Sequence, residues 1–169
     1  MAVSAPLSYS VSQRALHWLT VLLVFYNLIA DNGMYGVLKA AKEGTSPDAA
    51  ALSAANLHAY VGFAIVALTV LRLILRVVQG APEAPAAEPP LFQLAAKIGH
   101  AAFYVLLFAM PLLGTLGYYY GNETAGELHG GPLKALLWVL IVGHVAAVLM
   151  HKFVWKTNVL DRMTKGVKA

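Results

Sequence analysis

Four runs without a single charged residue, 15–30, 49–71, 98–122 and 135–151, constrain this chain more than anything else in it. They are 16, 23, 25 and 17 residues long, and a helix that crosses bilayer hydrocarbon needs roughly 17–25. Arg14, at the edge of the shortest run, can snorkel to the headgroups and lengthen it. Composition agrees, with 59% apolar and 12% charged residues and a mean hydropathy of +0.66, where soluble domains are about 45–50% apolar. The reading is an all-α transmembrane four-helix bundle, one domain over 1–169. The first run is expected to be retained rather than cleaved as a signal peptide, because little positive charge precedes it and no small-residue cleavage site follows Ala30.

Helix boundaries follow from caps and breakers. The first helix is expected from Ser12, as N-cap, to the Asp31-Asn32-Gly33 turn signal. The second is expected over about 54–78, ahead of a Pro/Ala/Glu-rich linker from Ala81 to Pro90. The third covers about 93–118 with Pro111 as a kink, and the fourth has Pro132 in its first turn and ends past Trp155.

Charge gives the orientation. With the N-terminus inside, Arg14, Arg72, Arg76, Lys97, Lys152, Lys156, Arg162, Lys165 and Lys168 lie inside, against Lys39, Lys42 and Lys134 outside. This satisfies the positive-inside rule and puts both termini in the cytoplasm. With three acids inside and five outside, the inner side sums to +6 and the outer side to −2. The pI near 9.4 therefore reflects topology and lipid contact, not nucleic acid. Trp18 and Trp155 fall at the inner interface and Tyr118, Tyr119 and Tyr120 at the outer one.

Histidine placement points to chemistry. His17, His58, His100 and His144 lie within apolar stretches, and His129 and His151 lie at the ends of the last one. Imidazoles in hydrocarbon mark functional sites by default. Zero cysteines exclude disulfides, thiolate-held clusters and covalently attached haem. Histidines on the inner faces of a helical bundle are suited to holding haem b through two axial nitrogens.

Depth sorts the pairs. His17 begins an outward helix, whereas His58 begins an inward one, so they cannot share an iron. His144 lies 15 residues after His129, about 22 Å deeper. The economical assignment is an inner haem between His17 and His144 and an outer haem between His58 and His129, with His151 a rival to His144 for the inner iron. Arg72, 14 residues below His58 on nearly the same face, reaches inner-haem depth as a propionate partner or else snorkels. Gly62 and Gly143 leave room for a porphyrin, or equally for close helix packing. Lys97, His100 and His151 are the titratable groups at the depth of an inner quinone site.

These residues together resemble the prokaryotic cytochrome b561 family over essentially the whole chain. The resemblance runs through Ser12-Gln13 and His17-Trp18, then Leu57-His58 with Gly62, Arg72 and Arg76. It continues through Gly99-His100 with Tyr104, Pro111 and Gly114, and ends with His144 to Lys156. It implies four helices, two bis-histidine haems b, and superoxide oxidation outside coupled to ubiquinone reduction inside. The family usually separates its two last-helix ligands by 14 residues, within about 40° of one face, whereas 15 overshoot by about 60°. His129 is expected to compensate by preceding the regular helix. An outer surface of −2 runs against collection of an anion, and favours a quinone-linked cytochrome b that exchanges electrons with a periplasmic redox protein. A haem carrier without turnover is the binding-class alternative.

Overall fold

The computed structural model describes residues 5–30 and 32–167, and every regular element among them is helical. α1 (Val11–Ile29) is followed by a short α2 (Met34–Glu43) and then by α3 (Ala49–Gln79) and α4 (Pro90–Tyr120), each of 31 residues. α5 (Glu123–Leu128), a π-helical turn (His129–Leu133) and α6 (Lys134–Phe153) run on as one rod, with α7 (Val159–Met163) after it. α3, α4 and the Glu123–Phe153 rod are each long and apolar enough to cross a membrane, and α1 with α2 qualifies as a fourth span bent by 46°. Asp31 and Lys168, assigned above to a turn and to the inner charge, lie outside the described residues.

Two boundary expectations need correction. The N-cap of α1 is Ser10 and not Ser12: its hydroxyl accepts from Gln13 N and the Gln13 side chain accepts from Ser10 N, the reciprocal capping box that Ser-x-x-Gln encodes. The last span does not begin at Pro132 and ends at Phe153, short of Trp155. Pro132 lies within the π-helical turn, two residues ahead of α6, because the wider i→i+5 turn tolerates a missing N–H that a regular helix would not. α2, α5 and α7 have no counterpart in the hydropathy pattern. α2 lies across the start of α3, and Gly33 at its N-cap has φ +60° and sits so close to Ala51 that a Cβ would overlap its carbonyl.

α1 lies against α3, α3 against α4, and α4 against α6. Buried Val24, Ile65, Leu106, Leu107 and Leu137, one or two from each long helix, form the core. Thr20 and Thr69 are buried too, with hydroxyls turned back onto Leu16 O and Ile65 O, so that small polar side chains enter a helix interface without an orphaned donor. Leu22, Val105, Leu112 and Val139 point outward and remain exposed, as spans facing lipid do.

At the end that carries the termini, side chains tie the backbone ends together. Buried Gln13 donates to Leu75 O at 3.3 Å, in the last turns of α3, and to Gly80 O at 2.9 Å, a carbonyl just past its end that has no helical partner. Arg14 donates to Thr164 O at 2.8 Å and Trp18 to Met163 O at 3.0 Å, which holds α7 under α1. Gln13→Ala strands Gly80 O and the Ser10 N–H; a loss of about 1–3 kcal/mol is expected, read as a lower Tm in detergent.

Candidate functional site

The helices bring the histidines together in two groups at different depths. His17 of α1 and His144 of α6 have ring centroids 6.4 Å apart, and His58 of α3 and His129 of the π-helical turn are 5.9 Å apart. Metal–imidazole bonds of about 2 Å on opposite sides of one ion put ring centres about 6 Å apart. All four rings are half-buried. The backbones that carry each pair, α1 with α6 and α3 with the rod, are not close-packed against each other, so side chains reach across an interhelical slot. Two imidazoles offer only two donors, and among the described residues no three His, Cys, Asp or Glu side chains converge to hold a bare metal ion. This donor set fits a metal that brings its own equatorial ligands, as a porphyrin does.

Local structure orients the rings. His129 Nδ1 donates to Met110 O at 2.7 Å, which leaves Nε2 with its lone pair free, the arrangement by which a second partner fixes a ligand's tautomer. The same ring lies over Gly114, where a Cβ would stand 3.1 Å from Cε1 and Nδ1. Neither Met110 nor Gly114 stands out by residue type, because one acts through its carbonyl and the other through having no side chain. His129 is not a loop residue: it opens the π-helical turn inside a continuous rod. That turn absorbs one extra residue, so the 15 positions to His144 carry the phase of 14 and return to within about 40° of one face.

At the other level, Arg72 Nη2 lies 3.1 Å from His17 Nδ1. A guanidinium only donates, so Nδ1 accepts here. Arg72 has no carboxylate partner among the described residues, and a half-buried guanidinium beside the slot is suited to an anionic group entering it. His100 of α4 donates from Nδ1 to Ala96 O at 2.6 Å and packs edge-on against His144 at 5.7 Å.

The Lys97, His100 and His151 set does not converge on one point. Lys97 is exposed, His100 joins His144, and His151 is held by Glu88 at 3.4 Å and Thr157 at 2.9 Å. Gly62 is buried facing Pro111, at an ordinary 3.9 Å for an added Cβ, and Gly143 faces open space. Sequence reasoning missed Glu88, whose Pro-rich surroundings read as solvated linker.

Around the second pair, Asn27 donates to His58 O at 3.1 Å while its buried Oδ1 has no partner among the described residues. Tyr118 donates to Asn56 Oδ1 at 2.9 Å. Lys134, one turn beyond Gly130, acts electrostatically on His58. Lys39 is engaged by Glu43 at 3.9 Å.

Comparison with known proteins places this arrangement. The chain is 30% identical over 157 residues to cytochrome b562 of Cereibacter sphaeroides, covering 93% of this chain and 95% of that protein. It is 30% identical over 182 residues to cytochrome b561 homolog 2 of Escherichia coli K12, with 95% and 93% covered. A probable superoxide oxidase of Yersinia pestis is 27% identical over 175 residues, with 92% and 94% covered. The family model for prokaryotic cytochrome b561 matches residues 8–166, and the chain belongs to that family of haem-binding electron-transfer proteins of the membrane.

Proposed function

We propose that the chain is a single four-helix domain that holds two haems b and moves electrons across the inner membrane, from superoxide oxidised at the periplasmic face to ubiquinone reduced at the cytoplasmic side. The observation that carries this reading is the two imidazole pairs, 6.4 Å and 5.9 Å between centroids, at two levels of one bundle. His17 and His144 would hold the inner haem, and His58 and His129 the outer one. The end with Arg14, Arg76, Lys152 and Lys156 faces the cytoplasm by the positive-inside rule. Haem b held by such a pair would supply one-electron transfer.

The chain's own residues do the rest. Met110 O and Gly114 fix the His129 ring. If Nε2 of His17 held a metal, Nδ1 would carry the proton and the Arg72 guanidinium, now 3.1 Å from it, would be available to a carboxylate such as a haem propionate. The core of Val24, Ile65, Leu106, Leu107 and Leu137 lies between the two levels by register and keeps water out. The balanced reaction takes two superoxides, one quinone and two protons to two dioxygens and one quinol, the protons entering at the quinone end.

Two features support superoxide as the donor: the name of the Yersinia pestis relative and the charge of Lys134 within electrostatic reach of His58. Lys134→Ala is expected to slow superoxide-driven haem reduction several-fold, most at low ionic strength, where steering is strongest; stopped-flow absorbance at two salt concentrations checks it. Purified protein given superoxide and a soluble quinone tests the whole reaction, and consumption no faster than spontaneous dismutation removes it. The net −2 of the outer segments favours a second reading, a quinone-linked cytochrome b that serves a cationic periplasmic redox protein. In that case the soluble quinone reoxidises the haems but superoxide does not reduce them.

A further inference from the structure

Among the described residues Glu88 is the only buried carboxylate and His151 the only buried imidazole, 5% and 6% exposed, and they face each other. The Pro85-to-Pro90 segment sets the position of the carboxylate. Glu88 N donates to Pro85 O at 3.0 Å, Gln93 Nε2 donates to Glu88 O at 2.8 Å, and α4 begins immediately afterwards. A charged side chain folded inward from such a segment is not needed to clamp it, because an apolar pair of the same shape stabilises as well or better.

Thr157 holds one nitrogen of the His151 ring and Glu88 faces the other. The Thr157 hydroxyl points to His151 O at 3.4 Å, so its oxygen accepts from His151 Nδ1 at 2.9 Å. Nδ1 therefore carries a hydrogen. On the other side of the ring, Nε2 lies 3.4 Å from Glu88 Oε1. Both His151 nitrogens are thus engaged and neither is free for an iron. Trp155 packs on the imidazole at 4.7 Å and closes that side. Beyond His151 on α6, the titratable group that faces Glu88 is His100 on α4, within electrostatic reach of the carboxylate and in ring contact with His144.

We propose that Glu88, held by His151, is the proton donor to the quinone reduced at this end. The proposal rests on the quinone reading above. As the quinone takes its electrons from the inner haem, the O–H bond of Glu88 breaks and an O–H bond forms on a quinone oxygen. The pair then regains a proton from water at the same end and gives the second. The two electrons come from the two superoxides oxidised at the far end. His151 is a positioning residue that stores the proton without touching the substrate.

The test is stopped-flow oxidation of the reduced haems in the full-length, haem-loaded protein by a short-chain ubiquinone, across neutral pH and in H2O and D2O. Glu88→Gln is expected to slow that oxidation roughly tenfold or more, flatten its pH profile and remove the solvent isotope effect, at unchanged haem content. Glu88→Asp recovers part of the rate, and Glu83→Gln, an exposed carboxylate of the same segment, keeps it. A Glu88→Gln protein with full haem, wild-type rate and wild-type pH profile overturns the proposal. Should that variant fail to assemble, Thr157→Val, which unties His151 Nδ1 and leaves the carboxylate, is expected to shift the profile; an unmoved profile overturns the proposal equally. A wild-type protein whose reduced haems ignore quinone overturns the quinone reading itself.

Discussion

His144→Leu is expected to halve the haem content of the purified chain and abolish quinone-coupled turnover, while the spectrum of the haem between His58 and His129 survives. The two ring pairs share a rod but not a level, 15 residues and about 22 Å apart, so loss of a ligand at one leaves the other's geometry standing. His151→Leu is the informative contrast. Its ring is tied to Glu88 and Thr157, so both haems are expected to remain and only proton-coupled steps to suffer. Haem quantitation and reduced-minus-oxidised spectra of the two variants decide which histidine serves the inner iron. Equal haem loss in both would sink the pairing of His17 with His144.

Gly114→Leu is expected to act at the opposite level. An added Cβ already stands 3.1 Å from the His129 ring, and the rest of a leucine side chain needs the space that the ring occupies. The ring cannot move away without breaking the 2.7 Å bond from Nδ1 to Met110 O. The expected result is loss of the outer haem with retention of the inner one, together with about 1–3 kcal/mol of destabilisation from overpacking. Spectra and a thermal melt check it, and a variant with both haems intact would show that His129 has another way to sit.

Much of this was readable in the chain because lipid simplifies the problem. Uncharged runs of near-spanning length give the long helices, and helical rise alone separates His17 from His58 in depth. What sequence pattern hid has physical causes. Gly130-Gly131-Pro132 reads as a helix break, yet a π-helical turn accommodates it and the rod continues to Phe153. Ser10 and Ser12 are equal as caps by residue type, and only the Gln13 side chain bonding back to Ser10 N distinguishes them. Glu88 lies among prolines and alanines that suggest solvent, and no pattern of residue types reveals that the segment turns its carboxylate inward to His151. The convergence of His17 and His144 was legible; the carbonyl and the glycine that hold His129 were not.

The layer of Val24, Ile65, Leu106, Leu107 and Leu137 has a consequence for energy conservation. All five side chains are aliphatic and carry no proton to pass on, whereas electron tunnelling needs no such carrier. Under the proposed direction each turnover carries negative charge to the cytoplasmic side and consumes protons there, which makes the reaction electrogenic. A standing potential then opposes it by about 2.3 kcal/mol per charge for each 100 mV, and the cytochrome would charge the membrane while disposing of a toxic anion.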